Sequence, residues 1–354
     1  MAVTMREVAR RAGVSAMTVS RVINGREGVD AETQRKVEEA IHALDYVPNR
    51  LARGLVSQKT QTIGLIVPDV VNPFFAPVAR GAETAARKAG YRVLLCNSEG
   101  DLRLEREYIE DLVAHRAEGL LLAPASDRSR TAILSLLRGR FPLVLLDRAL
   151  PEVECDMVVS DSAGGARRLV EHLIAVGHRE IAHVTDAEDT STGRERLRGY
   201  REALEAAGIP FREELVFRTT VDRIGGYRAA QEILALQDLP TAIFTVNNMT
   251  VVGTMEALRE RGMKVPRDMA LVCFDDVEHI AVLSPFLTVI DQPAETFGSL
   301  GAQLLLERIG GKASARARRI VLQTDLIVRE SCGEGTGVPP RARGLTTQGV
   351  APAT

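Results

Sequence analysis

Residues 13–24, GVSAMTVSRVIN, place three hydroxyls and a guanidinium close together: Ser15, Thr18, Ser20 and Arg21. Hydroxyls so grouped suit phosphate oxygens, which set the register of a protein on nucleic acid without reading its sequence. Arg21 carries the planar fork that reads guanine O6 and N7, and the apolar Ala16 and Met17 suit a thymine methyl. Such chemistry needs a short helix held against a small core. Thr4 and Glu7 fit a capping box ahead of a helix with Met5, Val8, Ala9 and Ala12 at helical spacing. Gly13 breaks that helix, and Ser15 is a good N-cap for a second one with Val19, Val22 and Ile23 inward. Two helices joined at AGVS predict a helix-turn-helix; an ordinary surface helix of a small bundle is the alternative. Asp30 caps a third helix with Val37, Ala40, Ile41 and Leu44 facing inward.

NRLARGLVSQKT follows Pro48. Asn49 can cap a short helix in which Leu51 and Leu55 fall one turn apart, beside Arg50 and Arg53. Fewer than ten residues including Gly54 do not hold a helix alone, since Gly costs ~1 kcal/mol relative to Ala. Leu55 has no core to join there. It fits a wedge between base steps in a minor groove, on a segment that folds only on DNA. The bland alternative is a linker with a stray leucine.

From Thr62 strand-like runs (TIGLIV, RVLLC, GLLLA, PLVLL, DMVVS, IAHVT, TAIFT, ALVCF) alternate with amphipathic helical stretches. That alternation predicts parallel sheets with helices on both faces. The stretch is long for a single sheet, and VVSDSAGG near 160 reads as a crossover between two similar α/β lobes. The tail after Cys332 is rich in Gly, Pro and Thr, lacks periodicity, and is expected to be disordered.

The 354 residues exceed one ordinary core, with 45% hydrophobic and 26% charged residues, the balance of a folded soluble protein. The first sixty residues carry ten Lys and Arg against seven Asp and Glu, the remainder 35 against 40, so a mildly basic head precedes an acidic body. No apolar run approaches the ~20 residues of a bilayer span, and MAVTMREVARRAG is charged where a secretory signal needs an apolar block, so a cytoplasmic location is expected. The four cysteines are far apart with no C-x-x-C, and the six histidines are scattered, so neither a metal nor a cofactor is expected.

Together, VTMREVARRAGVSAMTVSRVING, LDYVPNRLARGL, GLIVPDVVNPFF, LVEHLIAVGHREIAHV, RLRGYREAL and CFDD resemble the lactose-repressor (LacI/GalR) family of bacterial transcription regulators, in order from about residue 3 to 330. The resemblance implies a helix-turn-helix head over 1–47, a hinge segment over 48–60 and an effector-binding and dimerisation domain over 61–332. That domain is expected to have a two-lobed, periplasmic-binding-protein-like α/β fold with crossovers near 160 and 291, and 333–354 form the tail. It further implies a homodimer on a palindromic double-stranded DNA operator. Ala16, Met17 and Arg21 fall on its base-reading positions; Thr4, Ser15, Thr18, Ser20, Asn24, Tyr46 and Asn49 on phosphate or framework positions; Ala52 and Leu55 in the minor groove. Gly54 departs from the family toward a weaker hinge helix.

In the body the resemblance implies a small-molecule effector, a sugar, sugar phosphate or nucleoside-like compound, held between the lobes by Asp69, Asn72, Phe74, Arg148, Arg196, Asn247 and Asp275. Asn72 before Pro73 also reads as a helix N-cap, Arg148 as a salt-bridge partner of Asp147, and Phe75 as core. Asn248 stands where relatives usually carry Asp. His178 follows the family scaffold. A solute-binding protein without gene regulation is the rival reading, disfavoured by the helical head. An enzyme is not expected, since neither G-x-G-x-x-G after a strand nor G-x-x-x-x-G-K-[ST] occurs.

Overall fold

The Thr4 hydroxyl accepts from Glu7 N at 3.4 Å while Thr4 N donates to Glu7 Oε2 at 2.6 Å, closing the expected capping box. The computed structural model describes residues 3–23, 28–46, 60–186, 189–276 and 286–334. Helix α1 (Met5–Ala12) ends at Gly13, whose φ of +66° is left-handed and favours glycine. Helix α2 (Ala16–Ile23) is capped by Ser15, whose Oγ accepts from Thr18 N at 3.1 Å. Helix α3 (Ala31–Ala43) is capped by Asp30, accepting from Thr33 N at 2.9 Å. Val8, Ala9, Val19, Val37, Ala40 and Tyr46 form the core of this unit. The chain divides after Thr60 into this head and a larger body.

The body has two lobes. The first runs β1 (Thr62–Val67), α4 (Phe75–Lys88), β2 (Arg92–Asn97), α5 (Leu102–Ala114), β3 (Leu120–Leu122), α6 (Arg130–Arg138), β4 (Leu143–Asp147), β5 (Asp156–Ser160). Helix α7 (Ser162–Val176) then leads into the second: β6 (Ile181–Thr185), α8 (Ser191–Ala206), β7 (Val216–Arg218), α9 (Arg223–Leu234), β8 (Ala242–Thr245), α10 (Asn248–Glu260), β9 (Ala270–Phe274), β10 (Thr288–Asp291). Finally α11 (Ala294–Ile309) and β11 (Arg319–Leu322) return to the first lobe, and β12 (Asp325–Ile327) to the second.

The strand orders are β11-β5-β4-β3-β1-β2 and β12-β10-β9-β8-β6-β7. All pairs are parallel except β10 with β12. The two sheets thus repeat one topology, β1 matching β6 and β4 matching β9. Strands β3, β4, β5, β6, β8 and β9 are buried at every residue, as expected of parallel strands covered by helices on both faces.

Helix α11 belongs to the first lobe by packing, since Phe297, Ala302, Leu304 and Leu305 join the core of β1, β3, β4 and α4. Gly81 on α4 and Gly298 on α11 allow the close approach; a Cβ at either would run into a carbonyl of the other helix. Asp156, at the start of β5, ties this return down. Its Oδ1 accepts from Arg308 Nη2 at 2.7 Å and its Oδ2 from Arg318 Nη2 at 2.7 Å. A third crossing lies between Leu322 and Asp325, within the stretch RIVLQTDLI, where neither Gly nor Pro marks the break. Arg168 holds the break, donating to Thr324 O at 2.7 Å.

Candidate functional site: a polar cavity between the lobes

Parallel α/β sheets expose their loops beyond the carboxyl ends of the strands, and ligands collect there. Here the ends of β1 and β4 in one lobe and of β6, β8 and β9 in the other converge on a narrow cavity of about 30 Å³. The first lobe contributes Asn72, Phe74, Phe75, Asp147 and Arg148; the second contributes Asp186, Thr190, Thr192, Arg196, Val221, Val246, Asn247 and Asp275.

Arg196 is the most constrained of these. Thr190 caps α8, accepting from Gly193 N at 3.1 Å, so the helix starts at the cavity and places Arg196 one turn in. The side chain is buried. Its Nη1 donates to Val246 O at 2.5 Å and lies 3.6 Å from Asp275 Oδ2. The guanidinium sits 3.7 Å from the centre of the Phe274 ring, a cation–π contact that fixes its plane. Gln292 Nε2 donates to the other Asp275 oxygen. Across the cavity, Arg148 Nη1 donates to Pro124 O at 2.8 Å and Ala125 O at 3.0 Å, with Nε 3.8 Å from Asp147 Oδ2.

Burial pushes the Asp275 carboxyl up to about 6 against the pull of Arg196 and Gln292. Burial likewise raises Asp147, opposed by Arg148 and then Arg196. Three buried atoms of lining residues have no hydrogen-bond partner: the acceptor Asp147 Oδ1 and the donors Arg148 Nε and Arg196 Nε.

The structure therefore brings Asn72, Phe74, Arg148, Arg196, Asn247 and Asp275 round one cavity. Asp69 is not among the lining residues; two positions beyond β1, its Oδ1 accepts from Val71 N at 2.8 Å and holds a turn. Asn72 accepts from Phe74 N at 2.9 Å, but α4 begins only at Phe75, so Asn72 caps the turn before the helix rather than the helix itself. Phe74 meets Phe75 and Phe297 edge-on, with centroids 5.1 and 5.5 Å apart, so it belongs to the core as well as to the cavity wall. Asn247 spends its amide on structure, accepting from Thr250 N at 2.9 Å and donating to Val221 O at 3.1 Å.

In the head, α2 turns Val19 wholly inward and leaves Ala16, Met17 and Arg21 exposed, Met17 at 69%. Ser15 and Thr18 share a 2.9 Å hydrogen bond at the start of α2, and Ser20 is half-buried. Thr4 is engaged in its capping box, and Tyr46 is buried in the head core, a framework position. Asn24, Asn49, Ala52 and Leu55 lie outside the described residues, as does 47–59 as a whole.

Residues 4–49 match the model for bacterial regulatory proteins of the lacI family, and residues 170–332 that for a periplasmic binding protein-like domain. The HTH-type transcriptional repressor PurR of Aliivibrio fischeri (strain ATCC 700601 / ES114) is 34% identical over 330 residues, covering 93% of this chain and 98% of its own. The chain belongs to the LacI family. Among solved structures, the lac repressor dimer bound to operator and the anti-inducer ONPF is similar with a TM-score of 0.83 at 27% identity, covering 94% of this chain and 99% of that one. A LacI family transcriptional regulator from Enterococcus faecium with bound ribose is similar with a TM-score of 0.69 at 29% identity, covering 76% and 98%.

Asp186, Thr190 and Thr192 also line the cavity, as does Asp147, which the sequence offers only as a partner for Arg148. A signal was present: DTSTG is a run of helix-capping residues at a strand-to-helix turn, where side chains meet a ligand. Among the described residues no helix is long and apolar enough to cross a membrane.

Proposed function

We propose that this protein is a ligand-responsive transcriptional regulator, a repressor, that binds a palindromic operator as a homodimer and senses a small neutral polyhydroxylated metabolite between its lobes. Acting on DNA, it works in the cytoplasm. The observation that carries this reading is Arg196, held by Val246, Phe274 and Asp275 in one lobe at a cavity whose opposite wall is Asp147 and Arg148. A ligand reaching both walls binds the closed arrangement better than the open one, which is the differential affinity a switch requires.

The mixture of buried donors and acceptors without a hydrogen-bond partner supports a neutral hydroxylated ligand. A phosphate or carboxylate accepts only, and would leave Asp147 Oδ1 facing a like charge. A sugar hydroxyl donates to Asp147 and accepts from Arg148 or Arg196. On the DNA side, Arg21, Ala16 and Met17 on α2 are the base-reading candidates, with Ser15, Thr18 and Ser20 on phosphates. Leu94 and Leu95 on the edge strand β2 are about half exposed, and a second copy covering them would supply the second head.

Thermal shift of the full chain against neutral pentoses and hexoses and their phosphates tests the reading. A ligand at 100-fold over its dissociation constant adds ~2.7 kcal/mol. The expected result is one neutral sugar that raises the midpoint in the wild type, fails in Arg196→Ala, and changes operator affinity. A sugar shift that survives Arg196→Ala places binding elsewhere; a response to the phosphates alone overturns the ligand class.

A further inference from the structure

His172 and Cys332 are 160 positions apart in the chain, too far for any metal-binding spacing to show. The fold brings them together. His172, on α7, places Nε2 3.2 Å from Cys332 Sγ, and Glu334 Oε2 lies 3.8 Å from the same nitrogen. All three ligand atoms fall within 4.8 Å of one another. We propose that His172, Cys332 and Glu334 form a binding site for a thiophilic divalent cation of the zinc class, remote from the cavity between the lobes in both residues and chemistry.

The spacing suits the ion. Zinc bonds of about 2.3 Å to sulfur and about 2.0–2.1 Å to nitrogen or oxygen, at tetrahedral angles, set ligand atoms roughly 3.4–3.6 Å apart. The observed 3.2 and 3.8 Å straddle that edge and the third pair lies within 4.8 Å, so a movement of the exposed Glu334 carboxylate of about 1 Å closes the site. One thiol, one imidazole and one carboxylate are the wrong set for calcium or magnesium, which take oxygen. A buried thiol that only fills space has no use for a carboxylate beside its imidazole partner.

Cys332 is already held in place. Cys332 closes a short 3₁₀ turn, Glu330–Cys332, pinned where Ser331 Oγ donates to Leu271 O at 2.5 Å and accepts from Thr288 N at 2.8 Å. His178, packed 3.3 Å from the Cys332 carbonyl, supports the same turn. Glu334 is exposed and provides the way in. On binding, the cation replaces the thiol proton, now donated to Arg329 O at 3.2 Å, and that proton leaves to solvent. Water completes the fourth position.

The test uses the untagged full chain, stripped with chelator and titrated with Co²⁺, then competed with Zn²⁺. One equivalent of cobalt should bind with a thiolate-to-metal charge-transfer band that zinc abolishes. Cys332→Ser should lose the band, and Glu334→Gln, an exposed change that leaves the metal-free melting midpoint unaltered, should bind about tenfold or more weakly. Absence of the band in the wild type overturns the site, as does a band that persists in Cys332→Ser. If Cys332→Ser does not fold, Glu334→Gln decides: unchanged affinity overturns the site.

Discussion

Asp147 and Asp275 occupy equivalent places in two different sheets. Each stands at the carboxyl end of a matching strand, β4 or β9, with φ of +63° and +71°, and both line the cavity between the lobes. Left-handed backbone costs a non-glycine residue roughly 1 kcal/mol, least for Asp and Asn, and such strain gathers at functional sites. Both carboxyls are also pushed up by burial. The same unfavourable arrangement occurs twice, facing one space.

Asp275 gives the cavity a pH signature. Its carboxyl is raised to about 6 in the folded protein from 3.8, so the folded state keeps a proton that the unfolded chain has released. Stability from this group is complete below pH 3.8 and lost as pH rises through 6, on the order of 3 kcal/mol in all. Urea unfolding between pH 5 and 7 should show Asp275→Asn with a flatter pH dependence than the wild type. Parallel curves would refute a raised Asp275.

Asp156 titrates in the opposite sense. Burial alone would raise it, but hydrogen bonds from Arg308 and Arg318 outweigh that and hold it at about 2. Its contribution is present above pH 3.8 and lost as pH falls through 2. Asp156→Asn is expected to cost on the order of 2 kcal/mol at pH 7, with the deficit shrinking below pH 4. A deficit that stays constant down to pH 3 would mean shape, not charge, holds α11 and β11 to β5.

Arg196→Met keeps the volume but strands Asp275 as a buried, unpaired carboxyl. Losing one member of a buried pair costs about 3–5 kcal/mol. Denaturant unfolding should show that loss at pH 8 and a smaller one at pH 5, where Asp275 is protonated. Isothermal titration should show no sugar binding to the variant. Arg196→Lys, with charge but no planar fork, should fall between.

Arg21→Ala is predicted to relax base preference at one position of each operator half-site, costing about 1–3 kcal/mol per contact. Selection of binding sequences with wild-type and variant protein reads this directly. An unchanged preference with a shallower salt dependence would reassign Arg21 to a phosphate.

The fold could be read because its determinants are local. Thr4, Glu7, Gly13 and Ser15 mark the helix-turn-helix ends by chemistry that acts over three or four residues. The body's alternation of buried strands and amphipathic helices shows in the hydrophobic period. The cavity was legible where the family resemblance marked a residue that the fold then buries at the site, as with Arg196 and Asp275. It was not legible where a hydroxyl serves equally as cap and as lining, as at Thr190. Asp69 misled for the same reason: an Asp just past a strand is as readily a turn-former as a ligand. His172 and Cys332 meet only through the tertiary fold.

The return of the chain to the first lobe after β10 bears on how the molecule is made. Strand β1 of the first lobe begins at Thr62, yet α11 and edge strand β11, which complete that lobe's core and sheet, end only at Leu322. A ribosome therefore emits the whole of β6 to β10 before the first lobe is whole. Neither lobe is a severable stretch of chain, and a nascent protein halted at residue 290 would carry two unfinished halves rather than one finished one. Both walls of the cavity thus belong to lobes that are completed only when the last elements, α11, β11 and β12, have been made.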